Sequence, residues 1–126
     1  MALTKSDIEL FDKAKAVIKR NFDDKMWNHT IGAAVRCKNG KVYLGVNCDG
    51  VHGSCAEYIA IGAAITAGER EFDSIVAVYG KGTDCQIAPP CGNCRQMLLE
   101  YAPDIRVIVT EEKSIGIKEL LPYPYL

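Results

Sequence analysis

Residues 74–79 carry the stretch that decides the fold, Ser74-Ile75-Val76-Ala77-Val78-Tyr79. A continuous apolar run with several β-branched side chains is typical of a buried strand in a parallel sheet. Before it, residues 55–68 predict a helix whose small side chains favour close packing on a sheet, ending at Gly68. After it, a second helix runs through Arg95 to Tyr101, and residues 105–110 predict the next strand. This part of the chain therefore indicates a β-α-β unit with right-handed crossovers.

The N-terminal part adds a helix and a hairpin. Ser6-Asp7-Ile8-Glu9 matches a capping box and predicts a helix to about Arg20. Residues 31–37 and 41–46 predict two strands joined at Asn39-Gly40, a pair of residues that both accept positive φ. Residues 115–122 predict a short strand and a helical turn. The order α-β-β-α-β-α-β predicts an α/β fold with a largely parallel half-sheet and an antiparallel hairpin.

Length and charge narrow the class of protein. The chain has 126 residues, which fits a single domain over residues 1–126. Its formal net charge of -1 and its lack of a basic arm predict a small-molecule partner and no nucleic acid. It holds no apolar run long enough to cross a membrane. The first residues show no apolar signal segment, so we expect a cytoplasmic protein with reduced thiols.

Three of the six cysteines form a metal-binding pattern. Cys55 begins one predicted helix, and Cys91 and Cys94 begin the other as a Cys-x-x-Cys motif after Pro90. The first turns of crossover helices point toward the carboxyl ends of the strands that they follow, so the three thiolates can converge. Three protein ligands leave a tetrahedral zinc ion with one open position, as in catalytic sites. The positive ends of the helix dipoles offset the charge of the thiolates.

Glu57 supplies the proton-transfer group that such a centre needs. It lies two residues after Cys55, in the first turn of the same helix, where a carboxylate can stand beside the metal without binding it. From there it can take a proton from water and deliver it to a ring nitrogen and a leaving amine. The combination of Cys55-Ala56-Glu57 with Pro90-Cys91-x-x-Cys94 is far more specific than a lone Cys-x-x-Cys.

Two alternatives from other classes stay open at this stage. A non-enzymatic structural zinc module would use Cys85 or Cys48 as a fourth ligand and leave Glu57 without a role. A thioredoxin-like redox pair would use Cys91 and Cys94 and leave Cys55 unused. Cys37, Cys48 and Cys85 read as packed or incidental thiols, and His52 as a solvated loop residue.

The chain resembles the cytidine deaminase family in its three-cysteine branch. The motifs that carry the resemblance occur in family order between residues 30 and 122: Gly32-Ala33-Ala34, Gly45-Val46-Asn47, Cys55-Ala56-Glu57, Pro90-Cys91-Gly92-x-Cys94-Arg95-Gln96 and Glu119-Leu120-Leu121-Pro122. The resemblance implies a three-layer α/β/α sandwich around a five-stranded mixed sheet, assembled as a homotetramer. It also implies one zinc ion per subunit, held by the three thiolates, with Glu57 as the proton shuttle.

The resemblance further implies where the substrate binds. The backbone N–H of Ala56 would meet the pyrimidine carbonyl, and Asn47 would hold a ribose hydroxyl. Asp49 stands where cytidine deaminases carry a glutamate that helps to hold the ribose, so it is a further substrate-binding candidate, and Tyr58 stands where they often carry an arginine. The implied reaction is deamination of cytidine or deoxycytidine to the uracil form with release of ammonia, a step of pyrimidine salvage. Residues 116–122, Gly-Ile-Lys-Glu-Leu-Leu-Pro, and the stretch Leu98-Leu99-Glu100 also resemble the blasticidin S deaminases. The alternative substrate is therefore blasticidin S or another aminopyrimidine nucleoside analogue.

Overall fold

The computed structural model describes residues 1–81 and 84–125, and its elements follow the predicted order with one addition. The helices are α1 (Lys5–Asn21), α2 (Ala56–Thr66), α3 (Gly92–Tyr101) and α4 (Ile117–Leu120). The strands are β1 (Ile31–Cys37), β2 (Val42–Val46), β3 (Phe72–Tyr79), β4 (Gln86–Ile87), β5 (Arg106–Thr110) and β6 (Lys113–Gly116). The two-residue strand β4 is the addition. None of the helices in these described ranges is both long and apolar enough to cross a bilayer.

The sheet is mixed, and its main path has five strands in the order β2-β1-β3-β5-β6, with β4 paired to β3 outside that path. The expected five-stranded mixed sheet is thus confirmed. Among the strands of the described residues, however, only β3 and β5 pair in parallel, because β1 is inserted between β2 and β3 and pairs antiparallel with both. The prediction that residues 74–79 lie in a largely parallel half-sheet is therefore wrong on one side of the strand. Strands β2 and β3 still run in the same direction, which brings their carboxyl ends to one edge.

Helices cover both faces of the sheet, as the three-layer prediction requires. Buried side chains that alternate along β1 separate the two faces, with Ala33 and Val35 on one and Ala34 on the other. Helices α2 and α3 pack on the first face, where Ala60, Ile61 and Leu98 join the core. Helix α1 packs on the second face through its own apolar stripe, which comprises Leu10, Phe11, Ala14 and Ile18.

The start of α1 differs from the prediction. Thr4, and not Ser6, is the N-cap, with its hydroxyl accepting from the backbone N–H of Asp7 at 3.1 Å and the Asp7 carboxylate accepting from the backbone N–H of Thr4 at 3.0 Å. Both Thr4 to Asp7 and Ser6 to Glu9 fit the capping-box pattern. Tertiary contacts of Asp7 favour the earlier box.

Those contacts form a buried ionic network that joins α1 to the sheet. The guanidinium of Arg106 in β5 donates to both carboxylate oxygens of Asp7, at 2.9 Å each, and to Asp73 at 3.2 Å. The Asp7 side chain is fully buried, whereas that of Arg106 is 22% exposed. Burial alone would raise the pKa of Asp7, but the hydrogen bonds and charge of Arg106 and the bonds from Thr4 lower it overall.

The β1–β2 hairpin turns where predicted but by another geometry. Gly40 has a φ of 91°, while Asn39 is not among the residues with positive φ. The Gly40 N–H donates to the Cys37 carbonyl at 2.9 Å, and the Asn39 side chain accepts from the Lys41 N–H at 3.0 Å. The predicted hairpin is confirmed, and of the two turn residues only Gly40 uses the positive φ that both can accept. A turn followed by a left-handed glycine needs only one such residue.

Gly45 sets how closely α2 approaches the sheet. A β-carbon at this position of β2 would lie 2.5 Å from the backbone nitrogen of Ala60 and 2.6 Å from the carbonyl oxygen of Ala56. Both distances are shorter than van der Waals contact, and both partners are backbone atoms of a helix that cannot move independently. Only glycine allows this contact, which fixes the first turn of α2 directly above the end of β2.

Candidate active site

A cavity of about 430 Å³ opens at the edge of the sheet where β2 and β3 end. Its volume lies within the usual range for small-molecule sites. The residues that line it come from the start of β1, the loop after β2, the first turn of α2 and the segment that leads into α3: Ile31, Asn47, Asp49, His52, Gly53, Ser54, Cys55, Glu57, Ala88, Pro89, Cys91 and Asn93. Five residues predicted for the site, Asn47, Asp49, Cys55, Glu57 and Cys91, are therefore in one cavity.

Three thiols form a compact cluster at the inner end of the cavity. Cys55 is the N-cap of α2 and Cys91 the N-cap of α3, while Cys94 lies in the first turn of α3. Their sulfur atoms all lie within 4.8 Å of one another, and those of Cys55 and Cys91 are 3.6 Å apart. The Cys55 side chain makes no capping hydrogen bond to α2, so its thiol is available as a ligand. The predicted convergence of the three cysteines is confirmed.

The cluster has the dimensions of a zinc site. Zn–S bonds of about 2.3 Å at tetrahedral angles place two sulfur atoms about 3.8 Å apart, close to the Cys55–Cys91 separation. Within residues 1–81 and 84–125, no fourth His, Cys, Asp or Glu belongs to the group. Neither Cys48 nor Cys85 belongs to the cluster, so neither would complete a closed structural site. The donor set therefore fits an open zinc centre better than a closed one.

The surroundings shift the pKa values of the three thiols in different directions. Burial is the main reason that the pKa values of Cys55 and Cys94 are raised, and the carboxylate of Glu57 adds to both shifts. Burial would also raise the pKa of Cys91, but backbone N–H groups of Cys94 and Asn93 and the Cys55 thiol lower it overall. The free N–H groups at the start of α3 thus favour a thiolate at Cys91, as the dipole argument predicts.

Glu57 lies beside this cluster in the first turn of α2. It is only 6% exposed, yet it lines the cavity. Burial raises the pKa of its carboxyl group, although hydrogen bonds from its own backbone N–H and from the Cys94 thiol partly offset this. It does not belong to the group of potential metal ligands. A buried carboxyl group with a raised pKa, next to the metal position but outside the ligand set, is suited to moving protons.

The loop after β2 adds polar side chains to the lining of the cavity. The side-chain nitrogen of Asn47 donates to both carboxylate oxygens of Asp49 at 3.1 Å, while its oxygen accepts from the backbone N–H of Ile31 at 2.9 Å. Asp49 is exposed and Asn47 is buried. Ala56, in contrast, is fully buried and is not among the lining residues. Its backbone N–H lies between Cys55 and Glu57, both of which line the cavity.

Several residues near the cavity received no role from the sequence. His52 is exposed, as expected of a loop residue, but it also lines the cavity, as does Asn93 between the two cysteines of α3. Arg95 donates to the carbonyl groups of Pro90 at 2.8 Å and Leu120 at 3.1 Å, and so ties the segment before Cys91 to α4. His29 bonds to Asn47 from outside the cavity. The spacing of motifs in the sequence does not predict contacts such as those of Arg95 and His29, because their partners are set by the tertiary fold.

Loss of one thiol is expected to abolish tight zinc binding. Cys91→Ala removes one of three ligands from a centre that has no replacement among the residues of the cluster, so purified protein should contain little zinc. Cys48→Ala is the matched control, because this exposed thiol lies outside the cluster and its removal should leave the zinc content unchanged. Mass spectrometry measures the zinc content of each purified variant. Equal zinc content in the two variants would refute the assignment of the three cysteines as ligands.

Comparisons with known proteins agree with this geometry. Residues 4–111 match the family model for the cytidine and deoxycytidylate deaminase zinc-binding region. The chain is 35% identical to blasticidin-S deaminase of Bacillus cereus, covering 98% of this chain and 94% of that protein. It is 34% identical to cytidine deaminase of Halalkalibacterium halodurans over 73% of this chain and 74% of the relative. The crystal structure of cytidine deaminase from Burkholderia pseudomallei superposes with a TM-score of 0.77 at 31% identity, covering 98% of this chain and 100% of that one.

The fold, the three-cysteine cluster and these likenesses agree with one another, and they exclude both a redox pair and a purely structural zinc module. The chain belongs to the cytidine and deoxycytidylate deaminase family and is a zinc-dependent deaminase.

Proposed function

We propose that the protein, acting as one domain over residues 1–126, deaminates a free cytosine nucleoside such as cytidine or deoxycytidine. The observation that carries the proposal is the layout of the cavity. The lining combines Cys55 and Cys91 of the thiol cluster and Glu57 with the hydrogen-bonded pair of Asn47 and Asp49, and we assign these two groups to opposite ends of the bound substrate. A nucleoside has the same polarity along its length, with the amine to be removed on the base and the hydroxyl groups on the sugar.

The chemistry divides between the metal and Glu57. When bound by Cys55, Cys91 and Cys94, zinc acts as a Lewis acid that makes water nucleophilic near neutral pH. The water oxygen forms a bond to C4 of the pyrimidine, and Glu57 takes a proton from that water and gives it to N3. Glu57 then transfers the second proton to the amine, the C4–N bond breaks, and ammonia leaves with the uracil nucleoside as product.

Other residues of the chain orient the substrate for this step. The Ala56 backbone N–H belongs to the first turn of α2, where no intrahelical acceptor is available, and we assign it to the pyrimidine carbonyl. The exposed Asp49 carboxylate accepts sugar hydroxyl groups, with Asn47 holding it in place. The pKa of Glu57 is raised by burial, which brings its affinity for a proton nearer to that of the groups between which it must transfer one.

The charge of the cavity favours a nucleoside over a nucleotide. Two carboxylates, Asp49 and Glu57, line it, and the described lining residues include no Lys or Arg. A phosphate group at the sugar end would meet the Asp49 carboxylate without a compensating cation. The family includes enzymes for deoxycytidylate, and this charge distribution supports the unphosphorylated substrate for the present chain.

A second candidate substrate is blasticidin S. The blasticidin-S deaminase of Bacillus cereus aligns with nearly the whole chain, more than the cytidine deaminase from Halalkalibacterium halodurans does. Asp49 also has a shorter side chain than the glutamate of cytidine deaminases, which leaves more room at this end of the cavity for a group other than ribose.

Ammonia release by zinc-loaded protein tests both candidates. Cytidine, deoxycytidine, deoxycytidylate and blasticidin S are offered in parallel, each at several concentrations. Turnover of the two nucleosides with little turnover of deoxycytidylate supports the first proposal and its place in pyrimidine salvage. Turnover of blasticidin S alone supports the second. Faster turnover of deoxycytidylate than of the nucleosides would contradict the charge argument.

We further propose that four copies assemble in the cytoplasm. Helices α2 and α3 leave an apolar groove lined by Tyr58, Ile61, Gly62, Ile65, Thr66, Met97 and Tyr101. Tyr58 and Tyr101 are 39% and 57% exposed, and a contiguous exposed apolar surface of this kind is typical of an interface between protein chains. Light scattering at assay concentration checks the assembly, and the mass of a monomer would refute it.

A further inference from the structure

We propose that His29 is a positioning residue for substrate binding, because its imidazole holds the backbone of Asn47 and thereby fixes the Asp49 carboxylate at the sugar end of the cavity. This inference rests on the proposed function and deepens it. His29 is not among the residues that line the cavity, so the role that we assign to it is exerted through Asn47.

The hydrogen bonds of Asn47 carry the argument. His29 Nδ1 lies 2.7 Å from the carbonyl oxygen of Asn47, and since a carbonyl can only accept, Nδ1 carries the proton. Ile31 accepts from the Asn47 backbone N–H at 3.3 Å and donates to its side-chain oxygen at 2.9 Å. Three of the four polar groups of Asn47 are thus bound by residues 29–31. The fourth, its side-chain NH₂, donates to Asp49.

The backbone conformation of His29 indicates that surrounding contacts hold its imidazole against the Asn47 carbonyl. Its φ is 50°, in the left-handed region that non-glycine residues rarely occupy. The side chain of Asn28 accepts from the His29 N–H at 2.8 Å, and the imidazole bonds to Asn47 on the other side. A strained conformation of this kind persists only where surrounding contacts determine it, and such residues cluster at functional sites.

His29 contacts Asn47, and Asn47 in turn contacts Asp49, so loss of the imidazole should affect substrate binding through Asp49. Without the imidazole, the Asn47 carbonyl loses its donor, and the segment is held only by the bonds to Ile31 and by the backbone bonds between Cys48 and Ser54. The Asp49 carboxylate, which Asn47 orients, is then less firmly fixed. Sugar hydroxyl groups would then bind less tightly, while the thiol cluster and Glu57 at the other end of the cavity would be unaffected. A defect limited to the sugar end raises KM and leaves kcat unchanged.

Two variants separate the hydrogen bond from the backbone conformation. His29→Gly removes the donor and accepts a positive φ without strain. His29→Asn keeps a donor one bond beyond Cγ, where Nδ1 of histidine stands, and asparagine tolerates the left-handed region. We expect the Gly variant to raise KM for cytidine about tenfold, the effect of one lost hydrogen bond, with kcat within about twofold, and the Asn variant to restore KM.

A substrate without sugar hydroxyl groups distinguishes a role of His29 in binding the sugar from a general structural role. With 2′,3′-dideoxycytidine, which lacks the hydroxyl groups that Asp49 would bind, KM should be the same in wild type and in both variants. An unchanged KM for cytidine in the Gly variant, an equal rise for both substrates, or a fall in kcat at unchanged KM would each overturn the proposal.

A measurement without turnover keeps the inference separate from the proposed function. In NMR spectra, the side-chain amide signals of Asn47 report its bond to Asp49, and we expect them to shift in the Gly variant and to be retained in the Asn variant. If the wild type deaminates no nucleoside, the proposed function fails, and these signals decide the role of His29 alone. Identical Asn47 signals in the wild type and the Gly variant would refute it.

Discussion

We expect Glu57→Gln to lower kcat by roughly 10²–10⁴-fold on any substrate that the protein turns over, while its zinc content stays unchanged. Glutamine keeps the size and polarity of the side chain but cannot carry a proton between water and the leaving amine. Zinc is retained because Glu57 stands outside the cluster of Cys55, Cys91 and Cys94. Steady-state ammonia release and metal analysis on the same preparation measure both quantities.

The stability of the metal-free protein gives this prediction an independent check. Burial raises the pKa of Glu57, so its stabilising contribution is complete below the unfolded-state pKa and is lost as pH rises through the higher folded-state value. At neutral pH the metal-free Gln variant should therefore be at least as stable as metal-free wild type. Glu9→Gln, an exposed change on α1, is the control and should alter neither activity nor stability. A zinc-loaded Gln variant with full activity would remove Glu57 from the mechanism.

The largest expected effect on stability comes from Asp7→Asn. This change leaves the guanidinium of Arg106 facing a neutral amide instead of a carboxylate that it binds through two hydrogen bonds of 2.9 Å. Removing one partner of a buried ion pair typically costs about 3–5 kcal/mol when the other charge is left uncompensated, and here Asp73, 3.2 Å from the guanidinium, still compensates Arg106 in part. We expect a loss in this range in the free energy of unfolding, measured by urea denaturation. Arg106 is partly exposed, which favours the lower end.

The pH dependence of unfolding distinguishes the ion pair from simple loss of packing. The pKa of Asp7 is lowered in the folded protein, so its stabilising contribution is present above the unfolded-state pKa and is lost as pH falls through the folded-state value. The difference between wild type and Asp7→Asn should accordingly shrink in acid. Asp12→Asn is the matched control on the same helix, since its pair with Lys15 is largely exposed and contributes little. A pH-independent difference would refute the electrostatic explanation.

The zinc cluster could be predicted from sequence because its parts are local. Cys55 and Cys91 are N-caps, and Glu57 and Cys94 lie in the first turns that those caps begin, so short motifs fix their relation to each helix. The topology then brings the two helix starts to the same edge of the sheet. The α/β class and nearly all of the elements followed from hydrophobic patterning for a similar reason.

What could not be predicted depends on distant partners. Two overlapping capping boxes were available at the start of α1, and Arg106, 99 residues away, favours the one that contains Asp7. The antiparallel pairing of β3 with β1 depends on β1 being inserted beside β3, which no property of residues 74–79 reveals. The left-handed backbone of His29 is likewise set by contacts with Asn28 and Asn47 and by no feature of its own.

The close contact at Gly45 has a consequence for how substrate range can change, in nature or by design. Backbone atoms of β2 and α2 are in close contact at Gly45. The distance between the thiol cluster at the start of α2 and Asn47 at the end of β2 is therefore fixed. The loop that follows β2 is closed by two backbone hydrogen bonds between Cys48 and Ser54, of 3.0 and 2.8 Å. Residues 49–53 between them are exposed. Adaptation to larger or smaller sugars should therefore proceed by insertion, deletion or exchange within residues 49–53, with the reactive end of the enzyme preserved.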